Sequence, residues 1–316
     1  LETLEQRDFP VANLRVMASE RSAGGTIKFK GEEYVLEDLA QASFEGVDFA
    51  LFSAGGGVSK EFGPMAAASG AVVIDNSSAF RYDDRYPLVV PEVNPEAVKD
   101  HPGIIANPNC STIQLVVALK PIHDAVGIER LIVSTYQSSS GAGQKGMWEL
   151  FNGAKAFTNE EQEPAPSTFP HPLAFDVIPH IDIFLDNDYT KEEMKMVWET
   201  RKIMGLPELE VSATCVRVPV MRCHSESVTL DLAGPLSASD AKQLLADAPG
   251  IKLHDDPSSN TYPLARLAEG DDATWVGRIR TDDQRPNTLH MWVVSDNLRK
   301  GAALNAVQIA ELLVNE

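Results

Sequence analysis

In the first 110 residues, short runs of β-type apolar residues alternate with helix-forming stretches. A chain patterned this way buries its strands on both faces, which calls for a parallel sheet covered by helices. LRVMAS (14–19), VDFALFSA (47–54), AVVIDNSS (71–78) and GIIANPN (103–109) read as buried strands. Each ends in small polar residues or glycine, and ligand crevices of open α/β sheets form at such strand ends. Ser53 and Ala54 are followed by three glycines, where backbone N–H groups can approach an anion at the start of the next helix.

LETLEQR reads as a helix leading through DFPVAN into the second strand of a dinucleotide-binding unit, whose first strand and Gly-rich turn are not in the sequence. A fragment or a partial reading frame is therefore expected. Beyond residue 110 the pattern changes. LIVSTYQSSS (131–140) reads as a strand entering a Gly/Ser loop, 159–190 as an irregular Pro-rich stretch, and TKEEMKMVWETRKIM (190–204) as a helix. VSATCVRVPV and SVTLDLAG alternate as strands do, giving an antiparallel α+β domain. The expected division is a Rossmann-type domain over 1–109, a catalytic and dimerisation domain over 110–297, and a helical tail, 298–316, returning to the first domain. No internal repeat stands out.

The formal charge of −19 excludes a phosphate backbone or an anionic lipid surface as partner, so any anionic substrate is held by a few local cations. With 43% hydrophobic and 23% charged residues, a disordered chain is excluded. No apolar run has membrane-span length and the first residues lack signal-peptide character, so a cytoplasmic protein is expected. Cys110, Cys215 and Cys223 are odd in number and lack metal-ligand spacing; neither a disulfide framework nor a metal site is indicated.

Cys110 follows Asn-Pro-Asn at the junction of a β-run and a long amphipathic stretch. That position is the first turn of a helix, where the macrodipole and spare N–H groups stabilise a thiolate. A small buried hydrophobe fits the local context equally well. Cys215 and Cys223 lie in strand-like runs and read as core. Of seven histidines, His224 follows a strand that also bears Arg217, so one element would bring a cation and an imidazole to one sheet end. Spacing alone does not single it out. Gln137 opens QSSSGAG, as a hydrogen-bond donor to a carbonyl or as part of a linker.

NPNCST around Cys110, QSSSGAG from Gln137 and RVPVMRCHS from Arg217 together resemble the aspartate-semialdehyde dehydrogenases. DNSSAFR, PLVVPEVN and NLRKGAALNAVQIAELL are similar to that family as well, so the likeness runs the length of the chain. It implies a Rossmann-type α/β domain plus an α+β domain of the glyceraldehyde-3-phosphate dehydrogenase-like C-terminal type, in a homodimer. It also implies NADPH-dependent reductive dephosphorylation of 4-phospho-L-aspartate to aspartate semialdehyde, through a thioester on Cys110. In that scheme His224 is the general acid/base, with a pKa near the working pH, and Gln137 orients the acyl group. Arg217 grips the substrate carboxylate and Glu192 its ammonium, while Lys195, Arg81 and Asn109 hold phosphate. Without the likeness, Glu192 and Lys195 read as a solvated i,i+3 ion pair. Arg21 and Ser22 resemble the family's site for the NADP 2′-phosphate, Ser53 and Ala54 line the cofactor crevice, and Ser140, Gly141 and Asn297 lie near the nicotinamide.

Among rival readings, glyceraldehyde-3-phosphate dehydrogenase is the more distant, since it needs a second phosphate site and has no use for the Glu192 and Arg217 pair. N-acetyl-glutamyl-phosphate reductase shares the thiol and hydride chemistry but binds an uncharged nitrogen, for which Glu192 is useless. A cysteine hydrolase does not explain Arg21 and Ser22. A non-catalytic fragment that dimerises or binds substrate follows from the absent first strand.

Overall fold

The computed structural model describes residues 1–7 and 9–314. The chain forms two compact units. The first takes residues 1–87, 97–107 and the stretch from Ala306 onward, and the second takes Leu88–Glu96 and Pro108–Asn305.

In the first unit, α1 (Glu2–Gln6) precedes β1 (Val16–Ala18), the hairpin strands β2 (Thr26–Phe29) and β3 (Glu32–Asp38), and β4 (Phe49–Phe52). Then come α2 (Gly56–Ala68), β5 (Val72–Asp75) and β6 (Ile104–Ala106). β4, β5 and β6 are parallel neighbours, while β1 pairs parallel with β3, which pairs antiparallel with β2. The apolar runs 47–54, 71–78 and 103–109 thus supply parallel strands, each shorter than its run because the polar ends leave the ladder. The hairpin after residue 25 was not foreseen. Arg7 pairs with Glu311 at 2.5 Å, tying the C-terminal helix to this unit.

The second unit opens with α3 (Cys110–Val126), β7 (Ile128–Gln137), α4 (Gly143–Thr158), α5 (Lys191–Met204), β8 (Glu210–Arg217) and β9 (His224–Leu232). α6 (Ala238–Ala246), β10 (Ile251–Leu253), α7 (Ala265–Ala268), β11 (Thr274–Thr281) and β12 (Thr288–Ser295) follow. A π-turn, Arg299–Ala303, then leads into α8 (Leu304–Val314), which carries the chain back to the first unit. The six strands run in the order β10-β11-β12-β9-β7-β8.

This sheet corrects the antiparallel expectation: β7 and β8 are parallel, as are β10 and β11. β7 and β8 are joined by α4, the irregular stretch and α5, a crossover long enough for a parallel return. α3, α5 and α6 cover one face over an apolar core that includes Leu115, Leu119, Leu131, Met196, Leu230 and Val293. Strand register sorts the covered face into rows. Cys215, Thr135, Glu226 and Val293 form one row, Ala213, Val133, Val228 and Met291 the next.

Candidate active site

At the open end of the covered face, register brings together Gln137 at the end of β7, Arg217 at the end of β8, His224 at the start of β9 and Ser295 at the end of β12. The expectation that one element carries Arg217 and His224 is corrected. They sit on two strands with β7 between them, because residues 218–223 reverse the chain through Cys223 at φ 69°. Both still reach one end, since β8 finishes where the antiparallel β9 begins.

Cys110 is the first residue of α3 and Asn109 its N-cap, whose Oδ1 accepts from Ser111 N at 3.0 Å and Thr112 N at 3.3 Å. The Asn109 backbone N–H donates to Glu199 at 2.6 Å and its Nδ2 to Glu192 at 3.0 Å. The helix start is therefore clamped onto α5. Gly301, in the π-turn, lies against the cysteine: a Cβ there would stand 2.8 Å from Cys110 Cβ. None of the three cysteines is in a disulfide. Cys215 and Cys223 are buried thiols, pushed up by burial, Cys223 to about 12.

Glu192 and Lys195 are not the solvated pair of the bland alternative. Glu192 is 4% exposed and accepts from Lys195 Nζ at 2.8 Å, Asn109 Nδ2 at 3.0 Å and Gln137 Nε2 at 3.2 Å. Burial alone would raise its pKa, but the Lys195 charge and these bonds hold it below the usual carboxylate range. Lys195 also reaches Asp182 at 2.7 Å, and the two carboxylates overcome its own burial to raise its pKa. Glu199 was missed, although 192, 195 and 199 follow the i, i+3, i+7 rule for one helix face.

His224 is fully buried. Its Nδ1 faces the Ser138 backbone N–H at 3.1 Å, so Nδ1 accepts and the neutral ring carries its proton on Nε2. Nε2 is buried with no partner among the described residues. Burial and the Arg217 charge drive the imidazole down to about 3, far from the near-neutral value expected from the sequence. Arg217 Nη1 donates to Ser138 O at 2.6 Å and the guanidinium lies over Phe169 at 5.7 Å. Burial lowers its pKa against the opposing charges of Glu192 and Cys110.

The loop after Gln137 closes on this group. Ser140 Oγ donates to Asn297 Oδ1 at 2.9 Å, and the same oxygen accepts from Cys223 N at 3.0 Å. A Cβ on Gly141 would stand 2.8 Å from Arg217 Nη1 and 3.2 Å from His224 Nε2. Gly141→Ala should therefore leave the fold intact but displace both side chains, lowering kcat/KM by roughly 10- to 100-fold. Steady-state kinetics beside circular dichroism would show it; unchanged kinetics would mean the two side chains tolerate the methyl group.

In the first unit, Arg21 and Ser22 lie exposed in the turn between β1 and β2, and Ser53 and Ala54 are exposed between β4 and α2. Arg81 is buried and donates to Asn76 O at 3.0 Å. His290 contacts Thr229 at 2.9 Å and Asp282 at 3.4 Å, away from the sheet end that carries His224. Among the described residues no helix is long and apolar enough to cross a membrane.

Comparison with known proteins gives this geometry its context. Residues 1–101 match the family model described as "Semialdehyde dehydrogenase, NAD binding domain", and residues 119–300 match "Semialdehyde dehydrogenase, dimerisation domain". An aspartate-semialdehyde dehydrogenase of Aquifex aeolicus is 56% identical, over 100% of this chain and 94% of its own length. The solved aspartate semialdehyde dehydrogenase II of Vibrio cholerae, complexed with ASA, is 50% identical, with a TM-score of 0.97 over 100% of this chain and 94% of that one. A more distant enzyme of that name from Candida albicans, solved with NADP, is 28% identical, with a TM-score of 0.74 over 96% and 91%. A Rossmann-type domain and a glyceraldehyde-3-phosphate dehydrogenase-like domain, the NPNCST cysteine at its helix start, and identity above one half along the whole length place the chain in the aspartate-semialdehyde dehydrogenase family.

Proposed function

We propose that the chain interconverts 4-phospho-L-aspartate and aspartate semialdehyde, with NADP as its dinucleotide and Cys110 as its nucleophile. The observation that carries this is the arrival at one sheet end of an imidazole, a guanidinium and an ionised carboxylate, the last bonded to the residue that caps the cysteine's helix. In the biosynthetic direction the Cys110 thiolate attacks the acyl carbon, the bond to the phosphate oxygen breaks, and a thioester forms on Sγ. When bound, the dinucleotide supplies the hydride that reduces this thioester, and accepts it in reverse.

The chain's own residues do the rest. The Nε2–H of His224 donates a hydrogen bond to an oxygen developing charge at the reacting carbon. Gln137, anchored to Glu192, orients the acyl group. Arg217 has N–H groups beyond the one given to Ser138 for the substrate carboxylate, and Glu192 takes the ammonium. That buried negative charge disfavours an N-acetylated substrate. The motif likeness assigns phosphate to Lys195, Asn109 and Arg81.

The donor set of the first unit fits a phosphorylated dinucleotide. The N-terminus of the 13-residue α2 offers the N–H groups of Gly56 and Gly57 beside Ser53 and Ala54, and Arg21 with Ser22 suits a 2′-phosphate. In the second unit, Ser140, Gly141 and Asn297 are assigned to the nicotinamide. The NADP complex of the Candida enzyme supports this choice. Two copies of the chain are proposed to pair through the uncovered face of the large sheet. There Ile132 and Tyr136 are each 37% exposed, and the Tyr136 ring lies 5.3 Å from that of Trp292. A cytoplasmic location accords with three thiols outside disulfides.

The test is phosphate-dependent reduction of NADP by aspartate semialdehyde, compared with N-acetylglutamate semialdehyde and with NAD. Aspartate semialdehyde with NADP should be the fastest pair, and Arg21→Ala should weaken NADP binding about 10-fold with NAD binding unchanged. Faster turnover of the acetylated aldehyde, or an Arg21 effect equal for both dinucleotides, would refute the assignment.

A further inference from the structure

One row inward from His224 and Gln137, the covered face of the sheet carries a polar side chain that the reaction does not use. Glu226 on β9 is opposite Thr135 on β7 and Val293 on β12, and Thr135 is opposite Cys215 on β8. The next row, Ala213, Val133, Val228 and Met291, is apolar. α3 lies over β7, β9 and β12, and Gln114, one helical turn after Cys110, meets the Glu226 carboxyl. Both side chains are wholly buried, and as they stand neither the Glu226 carboxyl oxygens nor the Gln114 carboxamide atoms have a hydrogen-bond partner among the described residues, so each group has its hydrogen-bonding capacity free for the other.

An ionised carboxylate in that row would face no cation. β7 and β12 present Thr135 and Val293, and β8 presents the Cys215 thiol. His224 on its own strand is neutral, and Cys110 lies on α3. Arg217 is one row out, with Glu192 on α5 beside it as counter-charge. Buried charge without compensation is strongly unfavourable, so the group stays protonated. A carboxylic acid can donate its O–H to the carboxamide oxygen of Gln114 and accept from the carboxamide N–H in return, which satisfies both groups at once.

We propose that Glu226 is a positioning residue: as an un-ionised acid paired with Gln114, it fixes the strand bearing His224 against the first turns of the helix that begins at Cys110. The proposal rests on the roles given above to Cys110 and His224. Burial holds the Glu226 pKa well above the usual carboxylate value, with the neighbouring Gln114 carboxamide opposing only in part. The pairing is therefore intact below that raised value and is lost as pH rises through it.

The experiment compares Glu226→Gln and Glu226→Ala with the parent chain. Its readouts are kcat and KM against pH, and the pH dependence of Cys110 alkylation by iodoacetamide. Glu226→Gln keeps shape and neutrality. It should hold kcat within about threefold, leave the Cys110 titration where it was, and abolish the fall in kcat expected of the parent as pH rises through the raised Glu226 value. Glu226→Ala should lower kcat about 10- to 100-fold with little change in KM. Two results would overturn the proposal: a Cys110 titration moved to lower pH in Glu226→Gln, revealing that a negative charge had been removed, or a kcat loss in Glu226→Gln as large as in Glu226→Ala. Should the alanine variant fail to fold, the glutamine variant's titration and pH profile decide alone. Turnover that survived Cys110→Ser would count against the site assignment instead, independently of either Glu226 variant.

Discussion

Cys110→Ser is expected to lower turnover by about three orders of magnitude or more while leaving the fold and NADP binding unchanged. A serine hydroxyl is almost wholly un-ionised at neutral pH, and an ester on oxygen accepts hydride less readily than a thioester. The substitution is nearly isosteric, so the clamps at the helix start remain: Asn109 still caps Ser111 and Thr112, and Glu199 still takes the Asn109 N–H. Gly301 meets Cβ, which both residues share. Neither other thiol can take over, because Cys215 and Cys223 are 0% and 1% exposed and burial keeps them protonated. Intact-mass spectrometry after exposure to 4-phospho-L-aspartate should find an aspartyl adduct on Cys110 in the parent and none in the variant. Full-speed turnover by the serine variant, or an adduct on another residue, would contradict the assignment.

The sequence made some of this site legible and hid the rest for physical reasons. Asn-Pro-Asn before Cys110 announces a helix start because asparagine is an N-cap and proline ends the preceding strand, and α3 begins at Cys110. The helix α5 was equally plain, through Thr190 and Glu193 forming a capping box. By contrast, α4 begins where the Gly/Ser loop at 137–143 ends and has no clear helical signature of its own, since Gly146 and Gly153, helix-breakers by propensity, sit on its buried side. The parallel pairing of β7 and β8 depends on a crossover through an irregular stretch, which no local periodicity records. Ser-Glu-Ser after His224 looks like solvated polar chain, yet strand alternation turns Glu226 toward α3. The state of His224 was the least readable property. It is set by a backbone amide 86 residues away and by a guanidinium on another strand.

That buried histidine should make activity and acid resistance respond in opposite directions to one substitution. His224→Asn removes the Nε2–H that serves the reacting oxygen, and turnover should fall about 10²- to 10⁴-fold. Stability moves the other way on acidification. The ring's pKa drops from 6.5 to about 3 on folding, so its contribution is fully present above pH 6.5 and is lost as pH falls toward 3. At about 1.4 kcal/mol per pH unit once the unfolded ring is mostly protonated, the stability difference between variant and parent should shift by roughly 2 kcal/mol in the variant's favour between pH 6.5 and 4.5. Glu226 has the opposite sign, its raised pKa favouring the folded chain as pH falls, but it is present in both proteins and cancels in the difference. Glu192, whose lowered pKa removes stability only below about 4.5, stays outside the window. Urea unfolding of both proteins at the two pH values measures the shift. An unchanged difference would mean that the imidazole takes up a proton in the folded chain near neutrality, and His224 would then act as a cationic acid in place of a neutral donor.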